Sequence, residues 1–260
     1  MTFAHSLAAI MPNLPVVELP PGSVVIADLH LDGELPVHGQ LFEELLDHLA
    51  DAPVLVILGD LFEYWLGPKQ AQLPGAQRFL AAIRAFPGRL VFVPGNRDVL
   101  CGRELEASLG SPILMDGFVG MLGGERWLFL HGDELCIADT AYLRLRRALR
   151  SRTMRFLVYN LPGFVTRGLA KRLRRHSSHS VQYKKTDGET GQDPGFADTL
   201  MNAASCVRLV VGHAHTFRET ELSKGKKWYV LDAFRAGPKD ALRVGPEGGA
   251  EWGPCLTPTK

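Results

Sequence analysis

The stretches VVIADLH, residues 24–30, and VLVILGD, residues 54–60, decide the fold class, because each is a short apolar run that ends directly in polar side chains. Three further runs end the same way: LVFVPGNRD at 90–98, WLFLHGD at 127–133 and VRLVVGHAH at 207–215. Short apolar runs bounded by turn residues are typical of buried strands. Helical patterns at 41–50 and 76–86 separate the first three runs, so the sequence predicts an α/β core.

Side chains that bind divalent metals follow all five predicted strands: Asp28 with His30, Asp60, Asn96, His131, and His213 with His215. In α/β sheets, sites form in the crevice beyond the carboxyl ends of the strands, so one crevice is expected to hold the whole set. A single Gly-Asp or His-Gly pair is more often turn chemistry, and Asp28 alone is compatible with a helix cap. Five such clusters at successive strand ends favour a functional site.

The donor types of this set narrow the choice of metal. Carboxylates, imidazoles and one amide oxygen, without a thiolate, suit Mn²⁺, Fe²⁺, Zn²⁺ or Ni²⁺, whereas four histidines disfavour Ca²⁺. Two divalent ions about 4 Å apart, bridged by a carboxylate, clamp the attacking and leaving oxygens in phosphoryl transfer. The residues therefore predict a two-metal phosphoesterase.

The 260 residues, 46% of them hydrophobic, are enough for a substantial core. The four cysteines are scattered without Cys-x-x-Cys spacing, which favours a reducing compartment and argues against a structural zinc site. The first residues lack a basic segment followed by a continuous apolar one, and no apolar run reaches the roughly 18 residues of a membrane span. We expect a cytoplasmic protein whose membrane contact, if any, is peripheral.

The formal net charge of +1 conceals one strongly basic segment. Between Arg144 and Arg175 there are eleven Lys or Arg residues and no Asp or Glu, interleaved with apolar side chains. The pattern is helical and is interrupted at Pro162 and Gly163, which predicts two basic amphipathic helices. An anionic membrane surface fits this segment, although an ordinary solvated helix pair or a nucleic-acid surface would carry the same charges.

These patterns divide the chain into three parts. We predict an N-terminal extension over residues 1–22, a core formed by residues 23–139 and 200–260, and a helical basic cap inserted between them over residues 140–199.

Read in order, the five clusters resemble the signature of the calcineurin-like metallophosphoesterases. The resemblance covers residues 24–216 and implies that family's four-layer αββα sandwich around a two-metal site. It implies two ligand groups bridged by Asp60: Asp28, His30 and His215 for one ion, and Asn96, His131 and His213 for the other. It also implies in-line attack on phosphorus by metal-activated water, with no protein nucleophile.

The longer sequence segments at 27–31, 58–65, 95–98 and 131–136 resemble those of one branch, the UDP-2,3-diacylglucosamine pyrophosphatases of lipid A biosynthesis. That resemblance implies Mn²⁺-dependent cleavage to UMP and 2,3-diacylglucosamine 1-phosphate at the inner face of the membrane. By position, it implies six substrate contacts: Asn96, Arg97, Asp139, Tyr142, Ser177 and Lys184.

Arg97 carries most of the inference about the substrate. The broader superfamily usually has histidine at this position, where it protonates an alkoxide leaving group, and arginine cannot act as that acid. Arginine binds phosphate oxygens bidentately and stabilises transition-state charge. A phosphate leaving group departs without a proton, so Arg97 favours an anhydride substrate. We interpret Arg97, Asp60 and Asn96 as the catalytic residues.

Two other readings remain at this stage. The chain is also compatible with another two-metal phosphoesterase that acts on a nucleotide, a nucleic acid or a phosphoprotein. A non-catalytic scaffold that has lost its chemistry is a different class, and the intact ligand set argues against it. We expect a UDP-linked lipid as the ligand and no nucleic acid as partner; the sequence carries no signal for oligomeric state.

Overall fold

Two β-sheets form the centre of the molecule in the computed structural model, which describes residues 3–162, 165, 168 and 191–256. The strands are β1 (Val16–Glu18), β2 (Val24–Ile26), β3 (Val54–Leu58), β4 (Arg89–Val93), β5 (Phe118–Leu122), β6 (Glu125–Phe129), β7 (Arg208–Val211), β8 (Arg218–Glu221), β9 (Lys227–Val230), β10 (Ala241–Val244) and β11 (Ala250–Gly253). One sheet has the order β1-β5-β6-β7-β9-β8, and the other has the order β11-β10-β2-β3-β4.

The described helices lie outside these sheets or beside the site. They are α1 (Phe3–Ile10), α2 (Pro36–His48), α3 (Pro74–Ala85), α4 (Arg103–Leu109), α5 (Thr140–Leu149), α6 (Arg152–Asn160) and α7 (Pro194–Ala203). Both α2 and α3 begin at a proline, α2 five residues and α3 two residues before the helical patterns that predicted them. Proline favours this first position because its missing N–H would be unpaired there in any case.

Three apolar clusters show that the layers alternate helix, sheet, sheet, helix. Alternate side chains of β2, β3 and β4 face the other sheet, as Val56 does, or face α2, α3 and α4, as Ile57 does. On the second sheet, Phe129 faces inward, whereas Leu128 faces α1 and α7. Strands buried on both faces explain why the apolar runs are continuous. The predicted four-layer αββα sandwich is confirmed.

The strand directions bring the metal-binding side chains to one edge. Strands β2, β3 and β4 are parallel neighbours in one sheet, and β6 and β7 are parallel neighbours in the other. Their carboxyl ends lead into Asp28, Asp60, Asn96, His131 and His213. Because parallel strands end at the same edge, the two sheets together form the crevice that the sequence predicted.

The predicted N-terminal extension, residues 1–22, contributes to the folded body. Leu7 and Met11 are buried in the cluster between α7 and the six-stranded sheet, and β1 pairs in parallel with β5 at the edge of that sheet. Helix α7 also belongs to this layer, although its first residues fall inside the range predicted for the cap, 140–199. The domain boundaries themselves stay predictions.

The described part of the predicted cap consists of α5 and α6. Helix α6 ends at Asn160, just before the predicted interruption at Pro162. A further break falls at Arg150–Ser151, where the Ser151 side chain accepts a hydrogen bond from Met154 N and caps α6. Val158 of α6 packs against Leu66, Val99 and Leu100, which lie in the loops after β3 and β4. Within the described ranges, no helix is long and apolar enough to cross a membrane.

The apolar layer between the two sheets yields a stability prediction, based on a pair of neighbouring phenylalanines of the six-stranded sheet. Phe118 is fully buried and stacks on Phe129, with ring centroids 4.8 Å apart and planes 6° apart. We expect Phe118→Ala to lower the free energy of unfolding by about 3–5 kcal/mol, since it leaves a cavity between the sheets. Denaturant unfolding of metal-free protein measures this. Val16→Ala, at a position 54% exposed, is the matched control and is expected to change stability by less than ~0.5 kcal/mol; equal effects would contradict the assignment of the core.

Candidate active site

Seven side chains converge at the carboxyl ends of β2, β3, β4, β6 and β7. They are the seven that the sequence singled out: Asp28, His30, Asp60, Asn96, His131, His213 and His215. Each lies within two residues or so of a strand or on the turn that follows it. The two rigid sheets therefore fix the positions of the loops that carry these side chains, as a site with a defined geometry requires.

The first group contains Asp28, His30 and His215, whose donor atoms lie within 4.8 Å of one another. The two imidazoles face each other with their Nε2 atoms 3.2 Å apart, and His215 Nε2 is 3.5 Å from Asp28 Oδ1. Asp28 Oδ1 is buried and makes no hydrogen bond. A buried carboxylate oxygen beside two lone-pair donors is suited to a cation.

The second group centres on the amide oxygen of Asn96. Its Oδ1 lies 3.1 Å from His131 Nε2 and 3.0 Å from His213 Nδ1. Asp60 joins the two groups, because its Oδ1 is 3.6 Å from His131 Nε2 and its Oδ2 is 3.9 Å from His30 Nδ1. Asp60 thus occupies the position of a bridging carboxylate between two metal-sized groups of donors.

Five of these side chains stand on left-handed backbone, which residues other than glycine seldom adopt. They are Asp28 (φ 55°), His30 (φ 50°), Asp60 (φ 50°), His213 (φ 69°) and His215 (φ 61°). Backbone hydrogen bonds hold the strained loops together: Asp28 N donates to Gly59 O (3.1 Å), and His30 N donates to Asp60 O (2.9 Å). Strain concentrated at one cluster of polar residues marks a functional site rather than incidental turns.

Two glycines permit the close approach of these loops. A Cβ on Gly59, which has φ +80°, would stand 2.2 Å from His131 Nδ1. A Cβ on Gly95 would stand 2.2 Å from Asp60 Oδ1. Glycine before Asp60 is therefore required by space and by backbone conformation, and glycine before Asn96 is required by space.

Arg97 extends beside the site and is anchored by Glu63. The guanidinium Nη1 donates to Glu63 Oε1 at 3.0 Å, and Nε lies 3.9 Å from Asp60 Oδ2. The Arg97 side chain is 14% exposed, so it faces the crevice rather than bulk solvent. Glu63 Oε2 also lies 3.8 Å from His30 Nδ1. The sequence assigned no role to Glu63, since its contact with Arg97 depends on two loops that are 34 residues apart.

Asp98 supports the site through backbone contacts. Its carboxylate does not orient a metal-binding imidazole, as carboxylates beside metal sites commonly do. It instead accepts hydrogen bonds from Leu61 N (3.0 Å) and Phe62 N (3.2 Å), directly after Asp60. His131 needs no carboxylate for its orientation, because its Nδ1 lies 2.8 Å from Leu58 O.

Burial and neighbouring carboxylates set the charges of the apoprotein site. Burial, together with Asp28, raises the pKa of Asp60 to about 6. Burial alone would lower the pKa of His131, but Asp60 and Asp28 outweigh it and raise that pKa to about 9. Burial lowers the pKa of His30 to about 3 and that of His213 to about 4. Since a cation must displace the proton from His131, metal binding weakens as the pH falls below about 9.

The residues predicted to contact substrate are distributed unevenly. Asn96 and Arg97 lie in the crevice, as described above. Asp139 caps the N-terminus of α5 by accepting from Tyr142 N at 2.9 Å, and the Tyr142 hydroxyl donates to Asp133. Ser177 and Lys184 lie outside the described residues.

The donor set fits a pair of divalent transition-metal ions. Asp28 Oδ1 and His30 Nδ1 are buried without hydrogen-bond partners, and a buried polar atom left unpaired is costly unless something else satisfies it. Nitrogen and oxygen donors without sulfur suit Mn²⁺, Fe²⁺ or Zn²⁺. The residues present therefore match the metals that the sequence predicted.

Comparison with known proteins agrees with this geometry. A family model described as calcineurin-like phosphoesterase matches residues 23–217. A UDP-2,3-diacylglucosamine hydrolase from Pseudomonas fluorescens is 36% identical over 196 residues, 74% of this chain and 78% of the relative. One of the same name from Shewanella pealeana is 32% identical over 231 residues, 85% of this chain and 96% of the relative.

Among solved structures, a dimetal phosphatase from Danio rerio aligns with 86% of this chain and 93% of its own, at 13% identity and a TM-score of 0.46. The family match spans all five strand ends that carry the predicted ligands. The chain belongs to the calcineurin-like phosphoesterase family and is a metal-dependent hydrolase.

Proposed function

We propose that the protein hydrolyses the pyrophosphate bond of UDP-2,3-diacylglucosamine and releases UMP and 2,3-diacylglucosamine 1-phosphate, with two Mn²⁺ ions as cofactors. The observation that carries the proposal is the position of Arg97, whose backbone N donates to the carboxylate of Asp60. An alkoxide leaving group would need a general acid at this position, and arginine cannot act as one. The names of the relatives from Pseudomonas fluorescens and Shewanella pealeana support the same substrate.

The proposed roles divide the site into two ligand groups and one phosphate clamp. Asp28, His30 and His215 would hold one ion, Asn96, His131 and His213 would hold the other, and Asp60 would bridge them. When bound, such ions lower the pKa of water and withdraw charge from phosphoryl oxygens.

Arg97 would bind the oxygens of the departing phosphate through its planar fork. Its backbone N donates to Asp60 Oδ1 at 2.8 Å, and Glu63 holds its guanidinium, so the side chain is ordered before substrate arrives. A pre-positioned cation stabilises the charge that develops on the leaving group without costly reorganisation. Because the leaving group is already a weak base, no proton donor is required.

We further propose that α5 and α6 bring the enzyme to an anionic membrane surface from the cytoplasmic side. Phe156 is 68% exposed, Leu157 is 54% exposed and Leu145 is 49% exposed, and basic side chains flank all three. Amphipathic helices with apolar and basic residues bind at the interface of anionic bilayers. The lipid chains of the substrate would lie next to this surface, with Asp139 and Tyr142 at the start of α5 near its sugar.

Product analysis tests the proposed substrate. With UDP-2,3-diacylglucosamine and Mn²⁺, we expect release of UMP, identified by chromatography and mass spectrometry. Asp60→Ala is expected to abolish release and to lower the metal content, because it removes the bridging carboxylate. Brisk turnover of a generic phosphodiester without UMP release would instead favour a phosphoesterase for nucleotides, nucleic acids or phosphoproteins.

Arg97 is tested by substitution. We expect Arg97→Ala to lower kcat for UMP release by about 10²–10³-fold while leaving the metal content unchanged, since the side chain stabilises charge and holds no ion. Arg97→Lys should recover only part of the loss, because it keeps the charge but loses the fork. Arg78→Ala is the matched control, since Arg78 forms a comparable pair with Glu43 on the surface. Loss of metal in Arg97→Ala would make Arg97 structural.

The membrane surface is tested with anionic lipid vesicles in a sedimentation assay. We expect the double variant Phe156→Ser, Leu157→Ser to bind about 10-fold or more weakly, since burying each apolar side chain stabilises binding by roughly 1.5–3 kcal/mol. Val37→Ser is the control, because Val37 is similarly exposed (52%) but lies on α2, outside the two helices proposed to meet the membrane. Equal binding by all three proteins would refute this surface.

A further inference from the structure

A buried ionic cluster connects α5 to the loop that carries His131. Asp133, Glu134 and Arg146 are each at most 2% exposed. Arg146 Nε lies 2.7 Å from Asp133 Oδ2, and Arg146 Nη2 lies 2.5 Å from Glu134 Oε1. One arginine therefore holds two adjacent carboxylates, and a fully buried charge of this kind is tolerated only when it is paired.

The cluster reaches the metal site through the backbone. Glu134 Oε2 accepts a hydrogen bond from Gly132 N at 2.9 Å. Gly132 has φ +116°, and its carbonyl accepts from Gln192 Nε2 at 3.1 Å. The residue directly after His131 is thus fixed from both sides, by Glu134 on its N–H and by Gln192 on its C=O.

His131 belongs to the second ligand group, with Asn96 and His213. The first group, Asp28, His30 and His215, follows β2 and β7, and no hydrogen bond or ion pair of the described residues joins it to Arg146. The second group also depends more on geometry, because apart from Asp60 its donors are neutral. A small rotation of the His131 loop would therefore weaken the binding of the second ion far more than the binding of the first.

We propose that Arg146 is a positioning residue for the second metal ion: by holding Glu134 against Gly132 N it fixes the direction in which His131 leaves the β6 strand. The affinity of the site for the second ion then depends on the docking of α5 against the His131 loop. This inference rests on the two-metal site of the proposed function and is independent of its substrate.

The alternative is that Arg146 only fastens α5 to the core. In that case, removing it would lower the stability of the protein without changing the relative affinities of the two ions. The neighbouring pair of Arg150 Nη1 and Asp116 Oδ1, 3.1 Å apart, provides the matched comparison. It also joins the end of α5 to the core, and among the described residues no hydrogen bond or ion pair joins it to the His131 loop.

The experiment is titration of the metal-free full-length protein with Mn²⁺, followed by calorimetry and electron paramagnetic resonance. The wild-type protein is expected to bind two equivalents and to show a spin-coupled pair. In Arg146→Met we expect the dissociation constant of one equivalent to rise about 10–100-fold, with the other unchanged and the signal that of isolated Mn²⁺. Asn96→Ala, which removes a second-group ligand, should show the same pattern more strongly.

Arg150→Met should bind both equivalents as the wild type does, even where its unfolding temperature falls. Glu134→Gln, which keeps the shape of the side chain, repeats the test should Arg146→Met fail to fold, and the same selective loss is expected. The proposal would be overturned if a folded Arg146→Met variant or the Glu134→Gln variant bound two equivalents of Mn²⁺ at wild-type affinity. It would also be overturned if both ions lost affinity equally. The titration contains no substrate, so a failure to release UMP would not affect its outcome.

Discussion

The left-handed backbone at the strand ends is the constraint on which the site depends. Asp28, Asp60 and His213 each turn off a buried strand within one or two residues, with φ between 50° and 69°. Such conformations cost on the order of 1 kcal/mol or more for residues other than glycine, and the cost is lower for Asp and His than for most others. The sheets and the ladder of hydrogen bonds between the loops compensate for it. The stability of the sandwich is what allows its polar edge to remain strained.

That constraint explains why the supporting contacts around the site go to backbone atoms. Asp98 accepts from the N–H groups after Asp60, Asp28 Oδ2 accepts from His213 N at 2.8 Å, and Glu134 accepts from Gly132 N. A carboxylate bonded to backbone N–H groups fixes the direction of a turn, and the turn then fixes its side chain. The loops therefore contribute to the orientation of the metal-binding groups, alongside the carboxylate–imidazole contacts made by Asp28, Asp60 and Glu63.

Sequence patterns predicted the α/β core and the convergence of seven side chains, because continuous apolar runs and polar residues at strand ends are local signals. The two-sheet sandwich was implied by the family resemblance and not by these patterns. Of the four edge strands, only β4 gave a comparable signal; β8, for example, is Arg218–Glu221 and carries only polar side chains. The sequence pattern did not predict the break at Ser151, because Pro162 and Gly163 disfavour a helix more strongly than any residue near 151. Contacts such as Glu63 with Arg97, and Arg146 with Glu134, join residues far apart in the chain and require the tertiary structure.

The two faces of α6 connect the chemistry to the proposed membrane surface. Tyr159 donates its hydroxyl to Leu100 O at 2.6 Å and Val158 packs on Val99, so one face touches the loop that follows Arg97 and Asp98. Phe156 and Leu157 stand on the opposite, exposed face. A helix is about 10 Å across, so the surface proposed to meet lipid is separated from the loop of the phosphate clamp by little more than one helix. A substrate whose pyrophosphate adjoins an acylated sugar spans a distance of that order, so the seating of α6 on this loop is consistent with the proposed lipid-linked anhydride.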